Sequence, residues 1–379
     1  MAEQAKQKNS FHKSKARAKV TFSASPLGFL VAACGGGGGG ESSSDTSSST
    51  ITTTTSTTGS NNFGSNSNSL TAFTADPTNT FSGEYTSTDQ LPKQMVDQTQ
   101  SESYLSGHKN NTSLKDLSGK NTIDGLLYAD SRDPSKTDFW KIDGAQHSIS
   151  FSFFDADLKL LDENAYTSTP LRSAVYNSSF FEFSESQKNS VREALKEFEK
   201  IANVKFLEVF EENDQVGTVR FGITADSLGN AAAFTSGPNQ YWASSGDIWL
   251  DNTHYSAYLG KGSYKFATLI HEIGHAMGLA HPHEGGAQTL QAGLDYHNYT
   301  IMSYEDPSWA YFGSGSSRYF TISESLMVYD IQALQYMYGA NNSYNAGNTK
   351  YEFDPNKPIS LTIWDAGGED LLDFSNFNY

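Results

Sequence analysis

Between His271 and His281 the chain reads His-Glu-Ile-Gly-His-Ala-Met-Gly-Leu-Ala-His, a short run carrying three imidazoles and a carboxylate. At about 100° per residue, His271 and His275 differ by only about 40° around a helix axis, so both rings can reach one ion. Gly278 falls where the helix should stop, because glycine accepts the left-handed backbone that turns a chain at a helix C-terminus. That turn can bring His281 back to the same ion. Three neutral nitrogen ligands leave one position of a tetrahedral zinc open to water, the condition for catalysis rather than structural binding. Zinc so placed activates water and polarises a carbonyl. Glu272, next to His271, is placed to accept the water proton and deliver it to a leaving amine. The other reading of a His-Glu-x-x-His is a pair of helix-surface histidines; the added glycine and third histidine at fixed spacing argue against it. His254, His283 and His297 lack ligand spacing among themselves and read as surface or packing residues.

The elements that must hold this segment are legible in outline. Phe266, Leu269, Ile270, Ile273 and Met277 form an apolar stripe opposite the histidines, so a helix beginning near Tyr264 can be anchored in a core while its imidazoles face a cleft. Ser148-Ile-Ser-Phe-Ser-Phe-Phe154 alternates as a strand does, and Ser184-Glu-Ser-Gln187 is a capping box opening a helix with Val191, Leu195, Phe198 and Ile201 on one face. Further strands are expected over Lys205 to Phe210, Thr218 to Ile223 and Asp247 to Leu250, and a last helix from about Ser323 to Tyr338. Strand, helix, several strands and then helices describe one α+β domain.

Composition bounds the rest. A net charge of -17 with 13% aromatic residues, and no basic patch with interleaved aromatics, excludes a nucleic-acid groove from the expected functions. Cys34 is the only cysteine of the 379 residues, so neither a disulfide framework nor a cysteine zinc site can be built within one chain. No run approaches the roughly 18 apolar residues of a spanning helix. From Gly35 to about Gly119 the chain is dominated by Ser, Thr, Asn and Gly, which cannot bury enough apolar surface to offset ordering entropy, and residues 35–120 are expected to be a flexible stalk or propeptide.

Downstream of the histidines lies Tyr299-Thr-Ile-Met-Ser-Tyr304, and there the pattern resembles the metzincin metalloproteases, in which a methionine turn follows the zinc motif. Pro282 after the third histidine and Tyr304 two residues after Met302 are similar to the serralysin branch (peptidase family M10). The resemblance covers about residues 121–379 and implies a metzincin (zincin-like) catalytic domain over 121–341, with a twisted five-stranded mixed sheet, flanking helices and the active-site helix beneath it. It also implies that Met302 forms a hydrophobic floor under the metal, and that Tyr304 is a displaceable zinc ligand that swings to stabilise the oxyanion. A peptide would lie antiparallel to an edge strand near Asn230 to Phe234.

Leu326 to Asn341 resembles the last catalytic-domain helix of serralysins, although its apolar spacing (Ile331, Leu334, Met337, Tyr338) also reads simply as a core helix. Trp364-Asp-Ala-Gly-Gly-Glu-Asp370 resembles the start of the family's β-rich calcium-binding region, here 342–379. Asp365 and Asp370 bracket two glycines and supply hard oxygen ligands; by resemblance Gly367, Gly368, Asn345, Gly347 and Thr349 complete a calcium site. A glycine turn with solvated carboxylates is the alternative. The glycine-aspartate nonapeptide repeats usual in serralysins do not occur within these 379 residues, leaving either a fragment or a protein without the calcium-loaded roll.

At the other end, Leu27 to Cys34 follows a basic segment and resembles a bacterial lipoprotein signal (1–34), in which a lipidated Cys34 would be the sole membrane attachment. A disordered tail with an incidental cysteine is the alternative. The expectation is therefore a monomeric zinc endopeptidase, secreted or displayed on the cell surface, acting on protein or peptide substrates, with zinc and calcium as cofactors. A surface-displayed binding module that keeps the fold without cleaving is the rival; Glu272 and Tyr304 weigh against it, and protein digestion with and without chelator separates the two.

Overall fold

The computed structural model describes residues 17–22, 29–33, 102–103, 112–142, 148–161, 180–212, 215–225, 228, 231–239, 244–255, 259–284, 286–307, 311–312, 319–356 and 359–377. Cys34, Asn230 and most of the Ser/Thr-rich stretch lie outside them. The described residues belong to one compact unit, Met1–Gly36 with Gln94–Tyr379.

At its centre is a mixed sheet in the spatial order Ala233–Thr235, Asp247–Asp251, Val219–Thr224, Ser148–Phe153, Lys205–Glu208. The last four strands run parallel to their neighbours, whereas the edge strand Ala233–Thr235 is antiparallel to Asp247–Asp251. A two-residue strand, Phe180–Phe181, adds to one end of Val219–Thr224. This is the five-stranded mixed sheet expected, with one short extra strand.

Alternation in Ser148–Phe153 suggests one wet face, yet both faces are covered. Ile149 and Phe151 enter the core, and the buried Ser152 is satisfied by Glu211 at 3.0 Å while Ser150 meets Thr218 at 3.0 Å. Glu211 in turn takes the buried guanidinium of Arg220, with Nη2 at 2.8 Å, so this charge pair is hydrogen-bonded on both sides as burial demands. The helix Glu185–Ile201 packs over the sheet through Val191, Leu195, Phe198 and Ile201. Its capping box forms, with Gln187 N donating to Ser184 Oγ at 3.3 Å and Ser184 N to Gln187 Oε1 at 2.9 Å.

Ordered structure begins ahead of residue 121. Thr112–Asp116 pairs with Lys136–Trp140 as an antiparallel hairpin, although the composition of that stretch suggests no element. The last helix starts at Val328 rather than near Ser323, because the residues before it serve the sheet behind them: Glu324 N donates to Ser360 O at 2.9 Å and Ser325 Oγ accepts from Thr362 N at 3.0 Å. At the C-terminal side, Gly368–Asp373 lies between Lys350–Glu352 and the N-terminal strand Arg17–Phe22. Phe29–Ala33, the apolar run with the look of a targeting segment, pairs with Ile359–Ile363. Among the described residues no helix is long and apolar enough to cross a membrane.

Candidate metal centre

The histidine-bearing helix spans Tyr264–Ala276 and is capped by Ser263, whose Oγ accepts from Phe266 N at 3.1 Å. Phe266, Leu269, Ile270 and Ile273 are fully buried, so the helix is fixed by its apolar side as the stripe suggested. It ends in a left-handed turn at Gly278 (φ +100°), with Leu279 N bonding back to Gly274 O at 2.8 Å. Beyond the turn, Ala280 N donates to Leu126 O at 2.8 Å, and this cross-chain bond sets where His281 arrives.

The three histidines converge. His281 Nε2 lies 3.1 Å from His271 Nε2 and 3.0 Å from His275 Nε2. The outer nitrogens show which atoms carry protons. His271 Nδ1 faces Ile301 O at 2.9 Å and His275 Nδ1 faces Leu279 O at 2.7 Å, and a carbonyl can only accept. In neutral rings the Nε2 atoms of both therefore present bare lone pairs. Burial keeps them neutral: it lowers the pKa of His271 to about 3, drives that of His275 well below its ordinary value, and together with the neighbouring His283 lowers His281 as well. Lone pairs about 3 Å apart repel unless a cation sits among them, and ligands at about 2.0–2.1 Å on a tetrahedral zinc stand roughly 3.3 Å apart. The donor set and spacing fit zinc.

Around the ligands stand residues that orient them. Met302 is buried under the helix, so close that a Cβ on Gly274 would meet its Sδ at 2.8 Å. Its turn is tied down by Asp330 of the last helix, which accepts from Ile301 N at 2.8 Å and Thr300 Oγ1 at 2.5 Å. Tyr304 places its hydroxyl 2.8 Å from His281 Nε2, with 55% of the residue exposed. Burial, and then the Glu272 charge, push its phenol up to about 12. The Glu272 carboxyl is buried beside the histidines, and burial raises its pKa to about 7 against the opposing pull of the Thr235 hydroxyl at 2.7 Å. Thus His271, Glu272, His275, Gly278, His281, Met302 and Tyr304 are all brought together.

Four contributors escaped the sequence reading. Tyr128 OH reaches His275 Nδ1 at 3.0 Å, Glu284 lies 3.6 Å from His281 Nδ1, Thr235 contacts Glu272, and Gly274 makes room for Met302. Only Gly274 left a local signal, since a glycine inside a helix costs about 1 kcal/mol relative to alanine and implies a reason. His283 stacks its ring on His281 at 5.4 Å and 5°, and with His281 and Glu284 it forms a second, more exposed group whose ligand atoms lie within 4.8 Å of one another.

A second cluster gathers around the glycine pair. Asp370 Oδ1 accepts from Thr349 N at 2.8 Å, while its buried Oδ2 has no hydrogen-bond partner. Gly368 (φ +138°) is packed so tightly that a Cβ would lie 2.6 Å from Gly347 O and 3.0 Å from Asp370 Oδ1. Asp365 Oδ1 accepts from Gly367 N at 2.9 Å, its Oδ2 accepts from Tyr351 OH, and Asn345 (φ 51°) donates to that same phenol at 2.9 Å.

The sheet, the glycine-turned helix with three convergent imidazoles and the methionine turn define a metzincin-type peptidase domain. Residues 169–299 match the matrixin family of M10 peptidases. Among curated relatives, the serralysin of Proteus mirabilis is 32% identical over 53% of this chain and 46% of its own length, and the metallopeptidase AprA of Pseudomonas marginalis 33% identical over 53% and 46%. A serralysin of Photorhabdus sp. (strain Az29) is 28% identical over 74% of this chain and 58% of its own. The chain is thus similar to the M10 matrixins over residues 169–299 and to serralysins over about half of its length, and it spans about half the length of the curated relatives it matches.

Proposed function

We propose that the protein is a zinc-dependent endopeptidase that hydrolyses internal bonds of extracellular proteins, acting as a monomer with Glu272 as general base. The observation that carries this reading is the meeting of three Nε2 atoms, those of His271 and His275 with bare lone pairs, beside a buried carboxyl group. A zinc ion held by His271, His275 and His281 would supply Lewis acidity to a water and to the substrate carbonyl. Glu272 removes a proton from the water as its oxygen bonds to the carbonyl carbon, then hands that proton to the amine as the C–N bond breaks. The Tyr304 hydroxyl, beside His281 Nε2 at 2.8 Å, would donate a hydrogen bond to the carbonyl oxygen as it gains charge. The peptide lies along the edge strand Ala233–Thr235, on whose outer side no described strand pairs.

Glu272→Gln should keep zinc stoichiometry and lose casein hydrolysis; near-wild-type turnover in that variant would overturn the assignment. Calcium belongs to the same reading, held by Asp365, Asp370 and the carbonyls around Gly347 and Gly368; the unpartnered oxygen of Asp370 supports it. So does a location outside the cytoplasm, by release or by an acylated Cys34. Intact mass distinguishes a mature protein starting at Cys34 from one that retains the strands Arg17–Phe22 and Phe29–Ala33.

A further inference from the structure

The edge strand Ala233–Thr235 does more than border the cleft. Asp251 N donates to Ala232 O at 3.0 Å and Ser236 N to Asp247 O at 3.1 Å, with Phe234 opposite Trp249 between them. An antiparallel ladder alternates, so the main-chain groups of Ala232, Phe234 and Ser236 face the neighbouring strand and those of Ala233 and Thr235 face the open edge. Thr235 is therefore a residue whose N–H and C=O border any peptide added there. Its side chain meanwhile points under the sheet onto the active-site helix, where Oγ1 donates to Glu272 Oε2 at 2.7 Å. Among the described residues this is the hydrogen bond made to that buried carboxylate.

We propose that Thr235 is a positioning residue for the base: its hydroxyl engages Oε2, fixes the carboxylate plane and leaves Oε1 for the water proton. A carboxylate free to rotate about its last torsion spends time with neither oxygen toward the water, and a 1 Å misplacement of a catalytic group is costly. Because the same residue lines the peptide edge, the register of the bound chain and the aim of the base are set by one short segment of backbone. This inference rests on Glu272 acting as base.

The test compares Thr235→Val, which keeps the β-branched shape and deletes only the hydroxyl, with Thr235→Ser, which keeps the hydroxyl. Expected for Thr235→Val is a fall in kcat of about 10- to 100-fold, the range for losing a hydrogen bond to a charged group, with KM, zinc content and Tm close to wild type. Thr235→Ser should recover kcat to within about threefold, since the donor is restored. Thr235→Ala serves if the valine variant does not fold. Valine or alanine variants with wild-type kcat overturn the proposal, as does a serine variant as slow as valine. Wild-type protein without hydrolytic activity would instead sink the endopeptidase reading, so the two failures are told apart.

Discussion

Replacing Asp330 tests whether the last helix holds the metal site together. Its buried carboxylate accepts three hydrogen bonds, from Thr300 Oγ1 at 2.5 Å, Ile301 N at 2.8 Å and Met327 N at 2.8 Å. The Ile301 carbonyl, on the residue so anchored, fixes His271 Nδ1 at 2.9 Å. Asp330→Ala leaves two buried amides without an acceptor, each costing about 1–3 kcal/mol, so the fold should lose roughly 2–6 kcal/mol. That is a large share of the roughly 5–15 kcal/mol that stabilises an ordinary domain. Asp330→Asn should be far milder, about 0–1.5 kcal/mol. Its carbonyl can still take both amides, and its NH2 can donate to Thr300 Oγ1. Burial already raises the Asp330 pKa to about 6 against the pull of its hydrogen bonds, so an uncharged replacement suits the site. Urea unfolding of the metal-free variants measures the stability difference. Competition with a fluorescent chelator measures zinc affinity, which should fall about 10- to 100-fold in the alanine variant as the support for His271 shifts. Alanine within about 0.5 kcal/mol of wild type, or asparagine as damaging as alanine, would refute the reasoning.

Two other predictions concern carboxylates away from the zinc ligands. Burial, and then the hydrogen bond and charge of Asp130, raise Asp138 to about 7; for Asp130 burial is outweighed by the Arg132 side chain and the amides of Arg132 and Asp133, which hold it at about 2. The folded protein thus keeps a proton on Asp138 that the unfolded chain releases near pH 4, so this contribution is fully present at low pH and is lost as pH rises through about 7. Asp138→Asn should flatten the decline of Tm between about pH 4 and 7, and an unchanged slope would show that the proton is not held there. In the glycine-turn cluster, millimolar calcium should raise the Tm of the wild type, and Asp370→Asn should abolish most of that shift; an equal shift in both would place the cation elsewhere.

The candidate ligand set was readable in the chain because helical geometry is local: the spacing of His271 and His275, the stop at Gly278 and the apolar stripe each follow from neighbours within a few turns. Met302 and Tyr304 came from a resemblance, since no short-range rule links them to a helix some thirty positions earlier. The same holds for the edge strand, whose sequence has no marked alternation and whose role comes from being last in the sheet.

What the amino-acid order determined by itself was the identity of the candidate ligand residues, the amphipathic helix that carries them and an α+β class. What only tertiary structure decided was their state. The carbonyls of Ile301 and Leu279 select the tautomers of His271 and His275, the main-chain bond from Ala280 to Leu126 delivers His281, Asp330 secures the methionine turn, and Thr235 addresses Glu272. Most of these partners lie tens to more than a hundred positions apart, where pairing depends on how sheet and helices stack rather than on any periodicity along the chain.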